Sequence, residues 1–160
     1  MVSIQLLCVG RLKEKHFAAA CAEYEKRLGS FCRLTITELP EERLPEAPSQ
    51  AQVDAALKKE AARILEKIPR GSKVIALCVE GRLLSSPELA RTMDRWMVEG
   101  TSSIVLIIGG SFGLHPSVKS QAQLRLSMSP MTFPHHLARV MVLEQLYRSF
   151  QIRAGTRYHK

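Results

Sequence analysis

The sequence predicts an α/β protein: an open, largely parallel sheet with helices on both faces. Three observations carry this prediction. Strand-like and helix-like segments alternate along the whole chain, the order that builds βαβ units. Two of the strands, 74–79 and 104–108, are continuous apolar runs, as strands covered on both faces are. In the last third, two strands break into loops rich in Gly, Ser, Pro and Thr. Such transitions are how an open sheet builds a ligand crevice at its carboxyl edge.

Taken in order, residues 4–9 read as a buried first strand closed by Gly10. Between 14 and 28, Phe17, Ala20, Cys21, Tyr24 and Leu28 recur at helical spacing, and Gly29 follows as a stop. Cys32, Leu34 and Ile36 alternate with polar residues, a half-buried strand. The acidic, Pro-rich stretch 40–48 reads as an exposed loop. A second helix is expected over 50–67, stopped by Pro69 and Gly71. After strand 74–79, Ser85 or Ser86 caps a third helix, with Pro87 near its first position and Glu88 completing a capping box. That helix ends at Gly100 and carries Trp96, a core or subunit-interface residue. Strand 104–108, a short helical turn at 116–121 and strand 124–127 follow. The last helix runs from 134 to 151, with Leu137, Val140, Met141, Leu143, Tyr147 and Phe150 as its apolar stripe. On it, Glu144 precedes Arg148 by four residues, the favourable order for an ion pair.

With 160 residues, 46% hydrophobic and 24% charged, the chain has the composition of one folded domain, 1–160, large enough for a core. No apolar run approaches the ~20 residues of a membrane span. Residues 1–10 lack a basic leader and a cleavage site, so the expected compartment is the cytoplasm. Cys8, Cys21, Cys32 and Cys78 are scattered without metal-ligand spacing. They read as buried thiols, and no metal site is expected. The net charge of +8 suits a polyanionic partner. Residues 1–80 are nearly balanced, with thirteen basic and eleven acidic side chains, whereas seven Lys/Arg and one acid, Glu144, follow Gly100.

Gly109-Gly110-Ser111-Phe112-Gly113 lacks the Gly-Lys-Ser/Thr ending of a P-loop and the spacing of G-x-G-x-x-G. It therefore reads as a tight turn or as a loop whose backbone approaches a ligand closely. The stretch 127–134 joins Met, Phe and Pro to hydroxyl groups. It either merely turns the chain or offers backbone groups to a heteroaromatic ring. His135 and His136 point about 100° apart on a helix, cannot chelate together, and read as ordinary packing. Tyr158-His159-Lys160 is either a frayed basic end or a group that stacks on a base, takes a proton and meets a phosphate.

These motifs, in this order, resemble the bacterial RlmH family, small members of the SPOUT class of methyltransferases. The resemblance rests on Leu77 followed by Gly81, Gly109 to Leu114, Met131-Thr132-Phe133-Pro134-His135, Glu144-Gln145-Leu146-Tyr147-Arg148 and the terminal Tyr158-His159-Lys160. It implies S-adenosylmethionine-dependent methylation of N3 of a pseudouridine in 23S rRNA of the ribosome's large subunit. It also implies a homodimer and a C-terminal trefoil knot. Carried over by position, the cofactor contacts are Leu77, Gly109, Met128, Ser129, Pro130, Met131, Thr132 and Phe133. For catalysis, His159 is the candidate base, Tyr158 the stacking partner, and Arg139 or Arg148 the cation facing developing negative charge. Two other classes stay open: a ribosome-associated binding protein without activity, and an α/β protein that binds another nucleotide.

Overall fold

The computed structural model describes residues 1–160. Five strands alternate strictly with five helices: β1 (Ser3–Val9), α1 (Lys15–Leu28), β2 (Arg33–Leu39), α2 (Gln50–Lys67), β3 (Lys73–Leu83), α3 (Ser86–Val98), β4 (Ser103–Ile108), α4 (Pro116–Lys119), β5 (Leu124–Ser127) and α5 (His135–Arg153). The sheet has the order β2-β1-β4-β3-β5, and all of its pairings are parallel.

Successive side chains of a strand point to opposite faces, and the core divides accordingly. Ile4, Leu6, Cys8, Ile104, Leu106 and Ile108 join one cluster with residues of α1, α3 and α5. Leu7, Val9, Val74, Ala76, Val105 and Ile107 join a second cluster with Ala61 and Ile64 of α2 and Val118 of α4. Burial on both faces explains why these strands read as unbroken apolar runs. Sequence-local signals set several boundaries. Ser49 with Gln52 and Ser85 with Glu88 form reciprocal capping boxes at the starts of α2 and α3.

Three expectations change, and of the two places expected for Trp96, core or subunit interface, the core is the one found. β3 runs to Leu83 instead of stopping at Val79, because after an irregularity Arg82 and Leu83 pair again with β5. Gly81 permits this: a Cβ there would lie 2.7 Å from the carbonyl oxygen of Arg125. Trp96 is buried within its own chain, beside α1 and α5, so it offers no subunit surface. Cys78 is only half-buried, unlike the other three cysteines. The 40–48 loop is anchored at its start, since Glu41 and Glu42 are half-buried and hydrogen-bonded. No helix is long and apolar enough to cross a membrane.

Candidate active site

A cavity of about 400 Å³ opens at the carboxyl ends of β4 and β5 and beside the irregular stretch of β3. Each of these strands supplies a different wall: Leu77 to Glu80 from the irregular stretch within β3, Gly109 to Leu114 from the loop after β4, and residues 128–133 from the loop after β5. Of the residues expected to hold a cofactor, Leu77, Gly109, Met128, Ser129, Met131, Thr132 and Phe133 line this cavity, and Pro130 does not. Neighbouring strands bring these residues into one place although they are spread over more than fifty positions of the chain.

The β4 wall is made of backbone. A Cβ on Gly109 would fall 2.5 Å from the carbonyl oxygen of Gly113, so the loop folds against itself with no room for a side chain. Gly113 closes that turn at φ +82°, a conformation natural to glycine. The close approach at Gly109 is thus internal to the loop, rather than space kept for a ligand. Next to it, Glu41 reaches in from the loop after β2. Its Oε1 accepts the Ser111 N–H at 2.9 Å and would lie 2.5 Å from a Cβ on Gly110. Glu41 was not a candidate from sequence, and nothing in its acidic, Pro-rich surroundings marked it.

The β5 wall is a loop with spare donors. Ser127 Oγ donates to the Ser129 carbonyl at 3.1 Å, and the Met131 N–H donates to Ser129 Oγ at 3.0 Å. The N–H groups of Met128, Ser129, Thr132 and Phe133 meet no acceptor in the chain. These residues are half-buried or exposed, so their N–H groups are open to water or to a hydrogen-bonding ligand in the cavity. At the exit of this loop His135 lines the cavity, a correction to its expected role as plain packing. Burial first, and then the neighbouring His136, lowers its pKa and favours the neutral ring. His136 faces away and pairs with Glu14 at 2.8 Å. The mouth of the cavity carries an ion pair between Lys119 and Glu80.

The residues proposed for catalysis, Arg139, Arg148, Tyr158 and His159, lie elsewhere in this chain. The side chain of Arg139 is 5% exposed, and Nη1 donates to Glu38 Oε2 at 2.8 Å while Nη2 donates to the Gly10 carbonyl at 3.4 Å. It ties α5 to the ends of β1 and β2 and is no free cation at the cavity. Tyr158 and His159 fold back onto α5. The Tyr158 hydroxyl donates to Glu144 Oε1 at 3.2 Å, its ring meets Tyr147 edge-on at 4.9 Å, and Arg148 lies 4.8 Å above it. Burial, and then the Glu144 charge, push the Tyr158 hydroxyl pKa up. Arg148 Nη1 sits 3.1 Å from His159 Nδ1. A guanidinium only donates, so Nδ1 is the acceptor there. The tail is therefore ordered, but neither ring lines the cavity of its own chain.

Nothing in the chain groups three or more His, Cys, Asp or Glu side chains to hold a metal ion. The residues present do fit S-adenosylmethionine. The cavity has the volume of a small-ligand site, apolar walls from Leu77, Leu126, Met128 and Phe133, and the free backbone donors of the β5 loop. Comparison with known families agrees with this chemistry: the family model described as predicted SPOUT methyltransferase matches residues 2–159. The match covers nearly the whole chain, and the protein belongs to the SPOUT family of methyltransferases, enzymes that draw their methyl group from S-adenosylmethionine.

Proposed function

We propose that this protein methylates N3 of a pseudouridine in 23S rRNA of the large ribosomal subunit. The observation that carries the reading is the loop-walled cavity at the carboxyl edge of the sheet, in a chain whose C-terminal motifs resemble the RlmH family from Gly109 through Lys160. The reading includes a homodimer, the C-terminal trefoil knot and a cytoplasmic location.

A bound S-adenosylmethionine supplies a methyl group already activated by its sulfonium. The residues that would hold it are Leu77, Gly109 and the 128–133 loop, whose free N–H groups suit a purine or carboxylate acceptor. Alignment and exclusion of water are then the protein's main work. The N3–H of the target is an imide proton, and its loss leaves negative charge on two flanking carbonyl oxygens. Donors aimed there lower the barrier. His135 is the titratable group at the cavity itself, and its lowered pKa keeps it available as a neutral base or donor. Tyr158 and His159 join the reaction in this reading only across the dimer, each tail serving its partner's cavity. Arg148 and Glu144 hold the tail in position for that role.

A methylation assay with labelled S-adenosylmethionine tests the proposal on free 23S rRNA, large subunits and assembled ribosomes, each with and without the pseudouridine. Transfer to the pseudouridine-containing substrate alone is expected. Transfer independent of that base refutes the target. No calorimetric binding of S-adenosylmethionine would favour the inactive binding protein. If His159 is the base, His159→Ala lowers the rate roughly 10²–10⁴-fold.

A further inference from the structure

A shallow track leads from the cavity along the last residues of β3 to the outer face of α3. Glu80 lines the cavity mouth, and with Gly81, Arg82 and Arg125 it also lines an adjoining depression. Arg82 in turn borders a wider hollow of about 560 Å³ with Arg91, Arg95 and Val98 of α3. Arg91, Arg95 and Val98 are four and three residues apart, one face of a helix.

The charges of this hollow are unevenly engaged. Of its two acids, Glu88 accepts the Ser85 N–H at 2.6 Å in the capping box and feels the charges of Arg91 and Arg82 without bonding either, and Asp94 pairs with Arg153 at 2.6 Å. Arg82, Arg91 and Arg95 are exposed and have no ion-pair or hydrogen-bond partner in the chain. The contrast is with Lys119, Arg139, Arg148 and Arg153, all of which are paired. Four of the seven Lys/Arg after Gly100 are thus paired locally, whereas these three guanidiniums around one hollow are not. Planar guanidiniums match phosphate oxygens in a fixed fork. Three of them, around a hollow joined to the cavity by a track, suit a chain of phosphates better than a single ion.

We infer that the Arg82, Arg91 and Arg95 face binds the sugar-phosphate backbone of the RNA that flanks the methylated base. The backbone follows residues 80–82 into the cavity mouth. This inference rests on the RNA substrate proposed above. A second copy of this chain is the poorer occupant, because a two-fold contact here would set guanidinium against guanidinium.

The test combines Arg82→Ala, Arg91→Ala and Arg95→Ala in the full-length protein. Its affinity for large subunits and for an RNA hairpin carrying the target base is measured across a salt series. S-adenosylmethionine titration and sedimentation are run in parallel. The triple variant should bind RNA at least about tenfold more weakly. Its slope of log affinity against log salt should fall by about 2, since each single-strand phosphate contact contributes about 0.7. Cofactor affinity and mass should not change. RNA affinity and slope equal to wild type overturn the inference while leaving the RNA substrate standing. A triple variant that changes mass overturns it in favour of a subunit contact. Wild-type protein that binds no RNA removes the proposed substrate and this surface together. Arg91→Glu alone keeps the question open to refutation should the triple variant fold poorly: wild-type RNA affinity for it also overturns the assignment.

Discussion

Replacing Gly109 by alanine adds one methyl group where the fold has no room. The new Cβ would lie 2.5 Å from the Gly113 carbonyl oxygen, 2.7 Å from its carbon and 3.1 Å from Leu114 Cδ2. Ordinary contact begins at 3.4 Å, so the loop must retreat by about an ångström. The obstacle is backbone, which cannot swing aside as the end of a side chain can. Overpacking of this kind costs about 1–3 kcal/mol. For a chain of this size each kcal/mol moves Tm by roughly 2–4 °C, so a fall of about 2–12 °C is expected. The displaced segment is one wall of the cavity, and S-adenosylmethionine affinity should fall with it. Gly29→Ala is the control, since Gly29 already has a helical φ of −57° and its nearest neighbour would be 3.3 Å away. Thermal denaturation and calorimetric titration read both effects. A Gly109→Ala protein with wild-type Tm and cofactor affinity would refute the claim that this backbone contact shapes the wall.

Glu41→Ala removes the acceptor of the Ser111 N–H and should cost about 1 kcal/mol. Gly110→Ala, which collides with Glu41 in the native protein, should do less harm in the Glu41→Ala background, and additive effects in a double-mutant cycle would refute the brace. Burial raises the Glu60 pKa despite the hydrogen bond from the Glu42 N–H. The folded state therefore prefers the neutral acid, and stability is lost as pH rises through the raised value. Glu60→Gln should gain Tm near pH 8 relative to wild type and gain less near pH 4, as thermal melts at both pH values would read. Burial pushes the thiols of Cys8 to about 12 and Cys32 to about 11, whereas half-buried Cys78 lines the cavity. Native protein should alkylate first at Cys78, and S-adenosylmethionine should slow it; equal labelling of all four cysteines would contradict this placement.

The fold was legible in the sequence because its signals are local. Apolar runs bounded by Gly10, Gly71 and Gly109 marked strands, and the Ser85-to-Glu88 spacing marked the start of α3. What escaped notice depends on contacts between distant segments. The continuation of β3 to Leu83 needs the backbone of β5 beside Gly81. No local pattern reveals that Glu41 braces Ser111, seventy residues away. The cavity walls were legible because strand ends with Gly, Ser and Pro can be read one at a time, and a parallel sheet collects them at one edge. Arg139 misled for the opposite reason. An arginine one turn into a helix beside a presumed site suggests a substrate contact, and only the fold shows Glu38 and the Gly10 carbonyl already holding it.

The tail raises the sharper question of how Tyr158 and His159, so near the end of the chain, are ordered at all. Glu144 is the hub. Its Oε1 accepts from Arg148 Nε at 2.9 Å, from Arg148 Nη2 at 2.6 Å and from the Tyr158 hydroxyl at 3.2 Å, while Oε2 accepts from Gln145 at 2.9 Å. Arg148 then reaches His159. A single helical carboxylate thus fixes a guanidinium, and the guanidinium fixes the tail. Tyr147, beneath Tyr158, also meets Tyr24 and Phe31, which links the tail to the cluster between α1 and α5. Removing Glu144 leaves Arg148 without its acid and Tyr158 without its acceptor. Glu144→Ala should therefore loosen Tyr158 and His159 together, with no change in the cavity walls. Amide exchange should accelerate at residues 156–160, while S-adenosylmethionine affinity stays at the wild-type value. Methylation lost with the tail's order makes the tail part of the catalytic assembly; loosened ends with full methylation would make it a structural latch on α5 and nothing more.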